Sequence, residues 1–566
     1  MSNIRVQENS FVKSTGGIVN QNRDIDLRLA CVEDGLDNIG FRKFAAYVKS
    51  IHPNTKAAYI PNGNVRGYIK LMSEKSYNIL DEQDINRIAT FLSEGDVVGM
   101  SSMTPYSETV VKIINEIRII NPKAYIVWGG IHPIIYPEDA IKHADAICTG
   151  EGEFAFEKFL DLFKNGQDYT AAPSFWFKKD DKIKKNRNLP LMTPKEMDEL
   201  PPLLYEDEEI IYHQGKGFKD ITKEDYMSYL GLGYNTIWTI GCPLHCTFCG
   251  NTKFIELDKN YRRLRYSSPQ TIINEIKRAI SKQPYLSAVA FWDDSFMGMP
   301  FVELEKFCKV YKEQIKIPFA VYGVIPTYVR EDKVAILLDA GMNRIRMGIQ
   351  SGSDNILEFY KRPTKLKRVK EAMQVLNKFK GYMMPPAYDI ILENPVETRE
   401  DTLATLDMIY EMPRPMNLNI FALKVIPNTQ LAKDIEGKGI KIPSIQDESY
   451  ITGYHRTMGN ILVFALATVK LPKWLYKILR KHVYPVQVEQ KQYPILFPLV
   501  RIAYLMKRGF DHLRFMDFSI LPGKAGYYFW KLGIIKFWHR FILKRYRLSD
   551  KKDIKVNKDL NLNQIK

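Results

Sequence analysis

The sequence is poor in cysteine and has no long hydrophobic run. Its 566 residues include six cysteines, far too few for the disulfide framework of a small secreted protein. The most apolar run, residues 461–469, is much shorter than the 18 or more residues of a membrane-spanning helix. The first residues, MSNIRVQENSFVKSTGG, lack the apolar core of a secretory signal peptide. These absences predict a cytosolic protein with reduced thiols.

The positive charge is confined to one part of the chain. Lys and Arg number 81 and Asp and Glu 65, which gives a formal net charge of +16. Residues 451–550 contain 18 of the cations and only four carboxylates, so this segment alone carries +14. A localised basic region attracts anionic surfaces, and the composition alone leaves nucleic acid and anionic lipid both open.

Composition and hydrophobic pattern predict a multidomain α/β protein. Hydrophobic residues make up 45% and charged residues 26%, which excludes wholesale disorder. Short apolar runs alternate with helical patterns up to about residue 162, which predicts a doubly wound, Rossmann-like parallel sheet. Six further strand-like runs between residues 235 and 427 predict a partial (β/α) TIM-type barrel. The strand rhythm stops after about residue 439, and helical patterns follow.

These patterns divide the chain into six predicted parts. They are a flexible N-terminus at 1–24, a Rossmann-like domain at 25–165, a proline- and acid-rich linker at 166–234, a partial barrel at 235–440, a basic, aromatic helical region at 441–550, and a flexible tail at 551–566.

Three of the six cysteines lie within eight positions, directly after a predicted strand. Cys242, Cys246 and Cys249 are soft ligands, which select zinc or an iron–sulfur cluster. The other three, Cys31, Cys148 and Cys308, fall in strand and helix patterns and are predicted core residues. A structural zinc site usually takes a second pair of ligands, which the neighbourhood lacks. Three ligands would leave one metal position open for a substrate or cofactor.

The Cys-x3-Cys-x2-Cys spacing at the end of a first barrel strand resembles the signature of radical S-adenosylmethionine (SAM) enzymes. That family holds a 4Fe-4S cluster by three cysteines, and SAM chelates the fourth iron. The resemblance implies that six further residues contact SAM. Simpler roles remain open: a helix N-cap for the aspartates and a strand-to-helix turn for the last three residues. The six are Phe248, Asp293, Asp294, Gln350, Ser351 and Gly352.

The first domain resembles the cobalamin-binding domain that often precedes a radical SAM barrel. Gly129 and Gly130 follow a predicted strand, where paired glycines let a backbone approach a flat ligand closely. The resemblance implies that Ser101 and Ser102 lie along the nucleotide tail of cobalamin. Asp37 stands where many cobalamin proteins have the histidine that ligates cobalt, so the lower histidine ligand is absent. A degenerate domain that binds no cobalamin remains an alternative.

The two resemblances together imply a radical SAM enzyme with methyltransferase activity, and the sequence identifies no catalytic residue. The implied chemistry is a 5′-deoxyadenosyl radical, formed from SAM, and a methyl group transferred through cobalamin to an unactivated carbon. The implied partners are a small-molecule or lipid-like substrate and an electron donor such as flavodoxin or ferredoxin. One alternative is a radical SAM cyclase, mutase or oxidoreductase. Another is a metal-stabilised scaffold that binds membrane or nucleic acid.

The C-terminal region combines aromatic, aliphatic and basic residues at helical spacing. Segments 461–485, 493–515 and 527–547 fit interfacial amphipathic helices, with Trp, Tyr, Lys and Arg at the level of lipid headgroups. This pattern predicts peripheral association with an anionic membrane surface. The alternative is a helical cap over the barrel mouth. The sequence disfavours nucleic acid as a partner, because the region contains no recognised RNA-binding motif and is rich in apolar residues.

Overall fold

A computed structural model describes residues 25–63, 80–179, 182–205, 208–442, 454–515, 517, 523–534 and 536–537. The predicted flexible ends, 1–24 and 551–566, lie outside the described residues. Within the described ranges, no helix combines the length and the hydropathy needed to cross a bilayer.

The described part of the first domain contains a nine-stranded sheet in the order β7-β6-β5-β4-β3-β1-β2-β8-β9. Its central strands run parallel, and β6, β7 and β9 pair antiparallel at the edges. The strands are β1 Leu27–Glu33, β2 Lys56–Pro61, β3 Val97–Ser102, β4 Tyr125–Gly129, β5 Ala146–Cys148, β6 Phe175–Lys179, β7 Lys182–Lys185, β8 Glu209–His213 and β9 Gly217–Asp220.

Helices cover both faces of this sheet. Every residue of β1 is buried, as expected for a central parallel strand between two helical layers. Separate hydrophobic clusters fill the space on the two faces. The predicted doubly wound fold is therefore confirmed. The helices are α1 Ile39–Ile51, α2 Glu82–Ser93, α3 Ser107–Ile120, α4 Ile131–Ile135, α5 Pro137–Ala140 and α6 Glu153–Lys164.

The segment predicted as a linker, 166–234, instead completes the first sheet. It contains β6 to β9 together with helices α7 Pro194–Glu199 and α8 Lys223–Leu230. In β6, Phe175 and Phe177 are buried while the alternate residues are more exposed, which is the period of a half-buried strand. The prediction of a linker was wrong because these edge strands are short and rich in lysine, and so lack the apolar runs of the central strands.

The second domain is a six-stranded parallel sheet in the order β10-β13-β14-β15-β16-β17. Within the described residues its two edge strands, β10 and β17, do not pair with each other, so the barrel is open. The predicted partial barrel is therefore confirmed. A short pair, β11 with β12, follows β10. The strands are β10 Gly233–Thr236, β11 Thr239–Ile240, β12 Arg265–Tyr266, β13 Ala288–Phe291, β14 Phe319–Val324, β15 Met342–Gln350, β16 Ala387–Leu392 and β17 Asn417–Ala422.

Helices connect these strands and bury their apolar faces against the outer surface of the barrel. Helix α10, for example, places Ile272, Ile273, Ile276 and Ala279 in the core. The helices are α9 Asn251–Leu257, α10 Pro269–Lys282, α11 Phe301–Gln314, α12 Glu331–Ala340, α13 Asp354–Phe359, α14 Leu366–Lys378, α15 Arg399–Glu411 and α16 Gln430–Glu436.

The C-terminal region is helical, with α17 Met458–Thr468, α18 Lys473–Arg480, α19 Leu496–Arg514 and α20 Gly523–Lys531. Helix α17 is mostly buried. In α19, the Tyr504 hydroxyl donates to the carbonyl of Leu418, near the start of β17. In α20, the Trp530 indole donates to the carbonyl of Pro284, which precedes β13 (3.2 Å). Helices α19 and α20 therefore contact the end of the barrel where the strands begin, rather than its mouth.

Candidate functional site

The three clustered cysteines lie on one loop, between β11 and α9, at the end of the barrel where the strands finish. The loop begins at Gly241, whose φ of +115° suits glycine, and a Cβ there would lie 2.5 Å from the carbonyl oxygen of Arg263. The amide of Cys242 donates to the carbonyl of Tyr261 (3.1 Å), and that of Cys249 to the carbonyl of Cys246 (3.0 Å). These contacts fix all three thiols on a short, tight turn.

Cys246 is buried, and Cys242 and Cys249 are partly buried. Burial, with a smaller contribution from nearby Asp294, raises the pKa of Cys242 to about 11 and that of Cys249 to about 12. Burial also raises the pKa of Cys246, against the opposing effect of the Arg362 guanidinium. Metal binding requires thiolates, so the positive charge of bound metal must offset this burial.

The donor set fits an iron–sulfur cluster better than a single ion. Among the described residues, no three His, Cys, Asp or Glu side chains converge on one metal ion. The ligands of an iron–sulfur cluster bind different iron atoms and are therefore spread over a larger volume than those of one ion. Cys242, Cys246 and Cys249, all free thiols, could hold three irons of such a cluster and leave the fourth for SAM.

The two aspartates predicted to contact SAM have different surroundings. Asp293 is buried and accepts hydrogen bonds from the amides of Trp238 (3.3 Å) and Thr239, so it fixes the connection between β10 and β11. Burial raises the pKa of Asp293 to about 7. Asp294 accepts a hydrogen bond from the Tyr261 hydroxyl (3.2 Å) beside the cysteine loop. Of the two, Asp294 is therefore the candidate for direct contact with a cofactor.

Ser351 and Gly352 face α15 rather than a cavity. The Ser351 hydroxyl lies 3.1 Å from that of Thr405 and is fully buried. A Cβ on Gly352 would lie 2.7 Å from the carbonyl oxygen of Ala404. The strand-to-helix turn directs the Ser351 side chain and the Cα of Gly352 into the packing with α15, and the SAM contacts of these two residues stay a prediction.

Phe248 and Gln350 line a cavity of about 340 Å³ between the two domains. Gln350 ends β15 with a φ of +78°, a conformation uncommon outside glycine and often found at functional sites. Asp389, Phe421 and Lys424 complete the barrel side of this cavity. The first domain contributes Met103, Thr104, Pro105, Ile131 and Ile135.

A second cavity, of about 820 Å³, lies at the carboxyl ends of the first-domain strands. Ser101, Gly129 and Gly130 line it, and the barrel contributes Trp292 and Arg346. A Cβ added to Gly129 would meet no atom closer than 3.9 Å, so the surface here is bare backbone with space in front of it. A broad cavity with a glycine floor fits a large flat ligand such as a corrinoid.

Two residues predicted to contact cobalamin also have structural roles. Ser102 is fully buried, is not among the residues that line the cavity, and accepts a hydrogen bond from the Trp128 indole (3.1 Å). Gly130 lines the cavity, but its φ is +86° and a Cβ would lie 2.8 Å from the Ser101 hydroxyl oxygen. A glycine here is needed for the turn into α4.

Asp37, which stands in the position of the missing histidine ligand, also lines the larger cavity and accepts a hydrogen bond from Asn235. Nearby, burial raises the pKa of Glu33 to about 8. The floor of the cavity at this loop therefore offers carboxyl groups and no imidazole among its lining residues.

Arg362 is a site residue that the sequence did not identify. Its guanidinium is buried, donates to the carbonyl of Gly348 (2.6 Å), and lies 3.6 Å from the sulfur of Cys246. The two partners of this contact are 116 residues apart in the chain. No local spacing marks such a residue, and only the fold brings it to the cysteine loop.

We expect Arg362→Gln to lower the reduction potential of the cluster, because hydrogen bonds to cluster sulfurs stabilise the more negative, reduced state. Losing a charge-assisted hydrogen bond costs about 1.5–3 kcal/mol, or roughly 65–130 mV for one electron. A redox titration followed by electron paramagnetic resonance measures this shift. Arg368→Gln is the control, because this partly buried arginine of α14 donates to the Glu371 carboxylate and to the carbonyls of Thr327 and Val329 rather than to a cysteine, and its loss should leave the potential unchanged. An unchanged potential in Arg362→Gln would contradict the role.

Comparison with known families identifies both domains. Residues 236–409 match the model of the radical SAM superfamily, and residues 66–160 match that of the B12 binding domain. The first family implies a 4Fe-4S cluster and SAM, and the second implies cobalamin.

Three curated relatives are similar to this chain in sequence. An uncharacterised methyltransferase of Pyrococcus horikoshii is 24% identical over 55% of this chain and 63% of its own length. The anaerobic magnesium-protoporphyrin IX monomethyl ester cyclase of Rubrivivax gelatinosus is 26% identical over 60% and 58%. The cytidylyl-2-hydroxyethylphosphonate methyltransferase of Streptomyces wedmorensis is 24% identical over 65% and 71%. The chain thus spans less than two thirds of the length of the first two.

Two solved structures share the fold. The methyltransferase TsrM of Kitasatospora setae, with cobalamin and a 4Fe-4S cluster bound, matches with a TM-score of 0.55 and 13% identity over 74% of this chain and 79% of its own. The cobalamin-dependent radical enzyme OxsB, with aqua-cobalamin and SAM bound, matches with a TM-score of 0.57 and 14% identity over 93% and 79%. The chain thus combines a cysteine loop and two adjoining cavities with a match to the B12 binding domain at residues 66–160 and a match to the radical SAM superfamily at residues 236–409.

Proposed function

We propose that this chain is a cobalamin-dependent radical SAM methyltransferase that methylates an unactivated carbon. The observation that carries the proposal is that the two cavities adjoin. Met103, Pro105 and Ile131 line both of them. A substrate in the smaller cavity, beside the cysteine loop, would therefore lie next to the space proposed for cobalamin. Methyl transfer needs both cofactors to reach one substrate, and this arrangement permits it.

The pair formed by Arg346 and Asp389 lies where the two cavities meet. Arg346 lines the larger cavity and Asp389 the smaller one. The Arg346 Nε lies 2.7 and 2.9 Å from the two carboxylate oxygens of Asp389, which also accepts from Asn419 (2.9 Å). We propose that this fixed pair orients a polar group of the substrate between the cofactors.

The remaining roles belong to residues around the two cavities. When bound, the cluster and SAM supply the hydrogen-abstracting radical, and cobalamin supplies the methyl group. Cys242, Cys246 and Cys249 bind the cluster, and Phe248, Asp294 and Gln350 position SAM. Ser101 and Gly129 receive the corrinoid. The apolar side chains of Met103, Pro105 and Ile131 exclude water from the space between the cavities, which protects a radical intermediate.

Product analysis tests the proposal. With SAM, cobalamin and a strong reductant, turnover should release 5′-deoxyadenosine and S-adenosylhomocysteine together. SAM with a deuterated methyl group, incubated with an extract of cellular small molecules and lipids, should label one product class by mass spectrometry. Release of 5′-deoxyadenosine with an unlabelled product would contradict methyl transfer and favour a cyclase, mutase or oxidoreductase. A cyclase is the second candidate function, because the relative from Rubrivivax gelatinosus is named as a cyclase.

The proposal includes two partners. The first is a one-electron donor such as flavodoxin or ferredoxin, since the cluster must be reduced for each turnover. The second is an anionic membrane surface, with a lipid-like substrate as the corresponding substrate class. The support for this second partner is the charge of +14 on residues 451–550.

A further inference from the structure

Helix α19 buries one face against the protein and exposes a second, apolar face. Its buried residues are Phe497, Tyr504 and Asp511. Lys507 and Arg508 bond to β17, whereas further apolar side chains face outward. Met506, Phe510 and Leu513 are 70%, 62% and 65% exposed. The outward stripe, named here the α19 face, recurs every three or four residues and consists of Leu499, Ile502, Met506, Phe510 and Leu513.

Specific contacts hold the helix in this orientation. The Lys507 ammonium donates to the carbonyl of Met416 and the side-chain oxygen of Asn417, both at 2.6 Å. It also pairs with Asp511 at 2.8 Å. The Arg508 guanidinium donates to the side chain of Asn419 in β17 (3.1 Å). Rotating the helix to bury its apolar stripe would break all of these contacts. The contacts therefore keep the stripe exposed.

A surface helix in water normally buries its apolar stripe and exposes its charges. Contiguous apolar side chains left in water mark a site that contacts a partner or a membrane. Helix α18 adds a similar surface, because Trp474 and Ile478 are exposed on a helix that also carries Lys473 and Lys477. A tryptophan among lysines is typical of a helix at the level of lipid headgroups.

The surrounding charge selects the partner. Among the described residues between 454 and 537, Glu489 is the only exposed carboxylate, because Asp511 and Asp517 are buried. Beyond these residues the sequence continues with KFWHRFILKRYR at 536–547. Two copies of this chain meeting at the α19 face would bring two strongly positive regions together. A surface with negative headgroups above an apolar layer matches both the charge and the stripe.

We infer that the α19 face is the surface by which this protein docks on bilayers containing anionic phospholipid. The apolar stripe enters the boundary between headgroups and acyl chains, and the flanking cations contact the headgroups. The inference rests on the membrane partner proposed above and is independent of methyl transfer. Vesicle binding and product formation are separate measurements, so either can fail alone.

Co-sedimentation of the full-length chain with vesicles tests the inference. The vesicles contain phosphatidylcholine alone or phosphatidylcholine with phosphatidylglycerol, at low and high salt. The wild-type chain should pellet with the anionic vesicles at low salt. The double variant Met506→Ser, Phe510→Ser should reduce this partitioning by about tenfold or more. The matched control Ile119→Ser, Val302→Ser removes two apolar side chains that are equally exposed elsewhere and should bind like wild type.

Insertion of the face itself is measured with a second variant. Met506→Trp places an additional indole on the stripe. Brominated lipids in anionic vesicles should quench the extra fluorescence that this variant shows over the wild-type chain, whose own seven tryptophans give the baseline. The inference is wrong if the wild-type chain does not pellet, if the double variant binds as well as wild type, or if the new indole escapes quenching. It is also wrong if light scattering shows a wild-type dimer that the double variant abolishes, because a second copy would then cover the face.

Discussion

Replacing Cys242, Cys246 or Cys249 with Ala should remove the visible absorbance of the iron–sulfur cluster and abolish SAM cleavage. Each thiol is expected to hold a different iron, and no other cysteine of the described chain lies on this loop. Iron and sulfide content after anaerobic reconstitution, with 5′-deoxyadenosine release, measures the effect. Both quantities should fall to background in each single variant, because two ligands on one turn cannot retain the cluster.

The control for this prediction is Cys308→Ala. Cys308 is buried in α11, and its thiol is kept protonated because burial raises its pKa well above the usual range. Its replacement should leave iron content and SAM cleavage unchanged and cost at most about 1–2 kcal/mol of unfolding free energy from lost packing. A triple variant of the loop cysteines that keeps its full iron content would show that the cluster lies elsewhere. Far-ultraviolet circular dichroism confirms that each variant is folded.

The local patterns in the sequence predicted the framework of the site well. All six strands of the barrel could be found, because their apolar residues form either short continuous runs, as in β13, or an alternating pattern, as in β15. The cysteine loop could be found because its ligands fall within eight residues. The edge strands β6 to β9 were missed, since they are short, polar on one face, and separated by proline-rich sequence.

The orientation of individual side chains could not be predicted in the same way. Ser102 is the last residue of β3, which ends at the larger cavity, yet its hydroxyl accepts a hydrogen bond from the Trp128 indole inside the core. Ser351 adjoins Gln350 in sequence but faces Thr405 on α15. Which way such residues point depends on the twist of the strand end and on the packing of a distant helix. The same holds for Arg362, whose contact with Cys246 exists only in the folded chain.

Replacing Gly129 with Leu should abolish corrinoid binding without unfolding the protein. Gly129 ends β4 at the larger cavity, and its Cβ would have no neighbour closer than 3.9 Å. A leucine there can extend into the cavity and occupy the surface on which the ligand would lie. We expect the Kd for hydroxocobalamin, measured by its absorbance change, to rise at least about 100-fold, which corresponds to roughly 2.7 kcal/mol.

Substitution of the neighbouring Gly130 should instead lower the stability of the fold. Gly130 has a φ of +86°, and a Cβ there would lie 2.8 Å from the Ser101 hydroxyl oxygen and 2.9 Å from the Ser102 amide nitrogen. Gly130→Ala should therefore lower the free energy of unfolding by about 2–4 kcal/mol. Gly166→Ala has a positive φ but open space around it, so it should cost only about 1 kcal/mol. Thermal unfolding therefore separates the structural glycine from the one that faces the ligand. If Gly129→Leu binds hydroxocobalamin as tightly as the wild-type chain, the larger cavity does not hold the corrinoid, and the proposed methyl transfer between the two cavities fails with it.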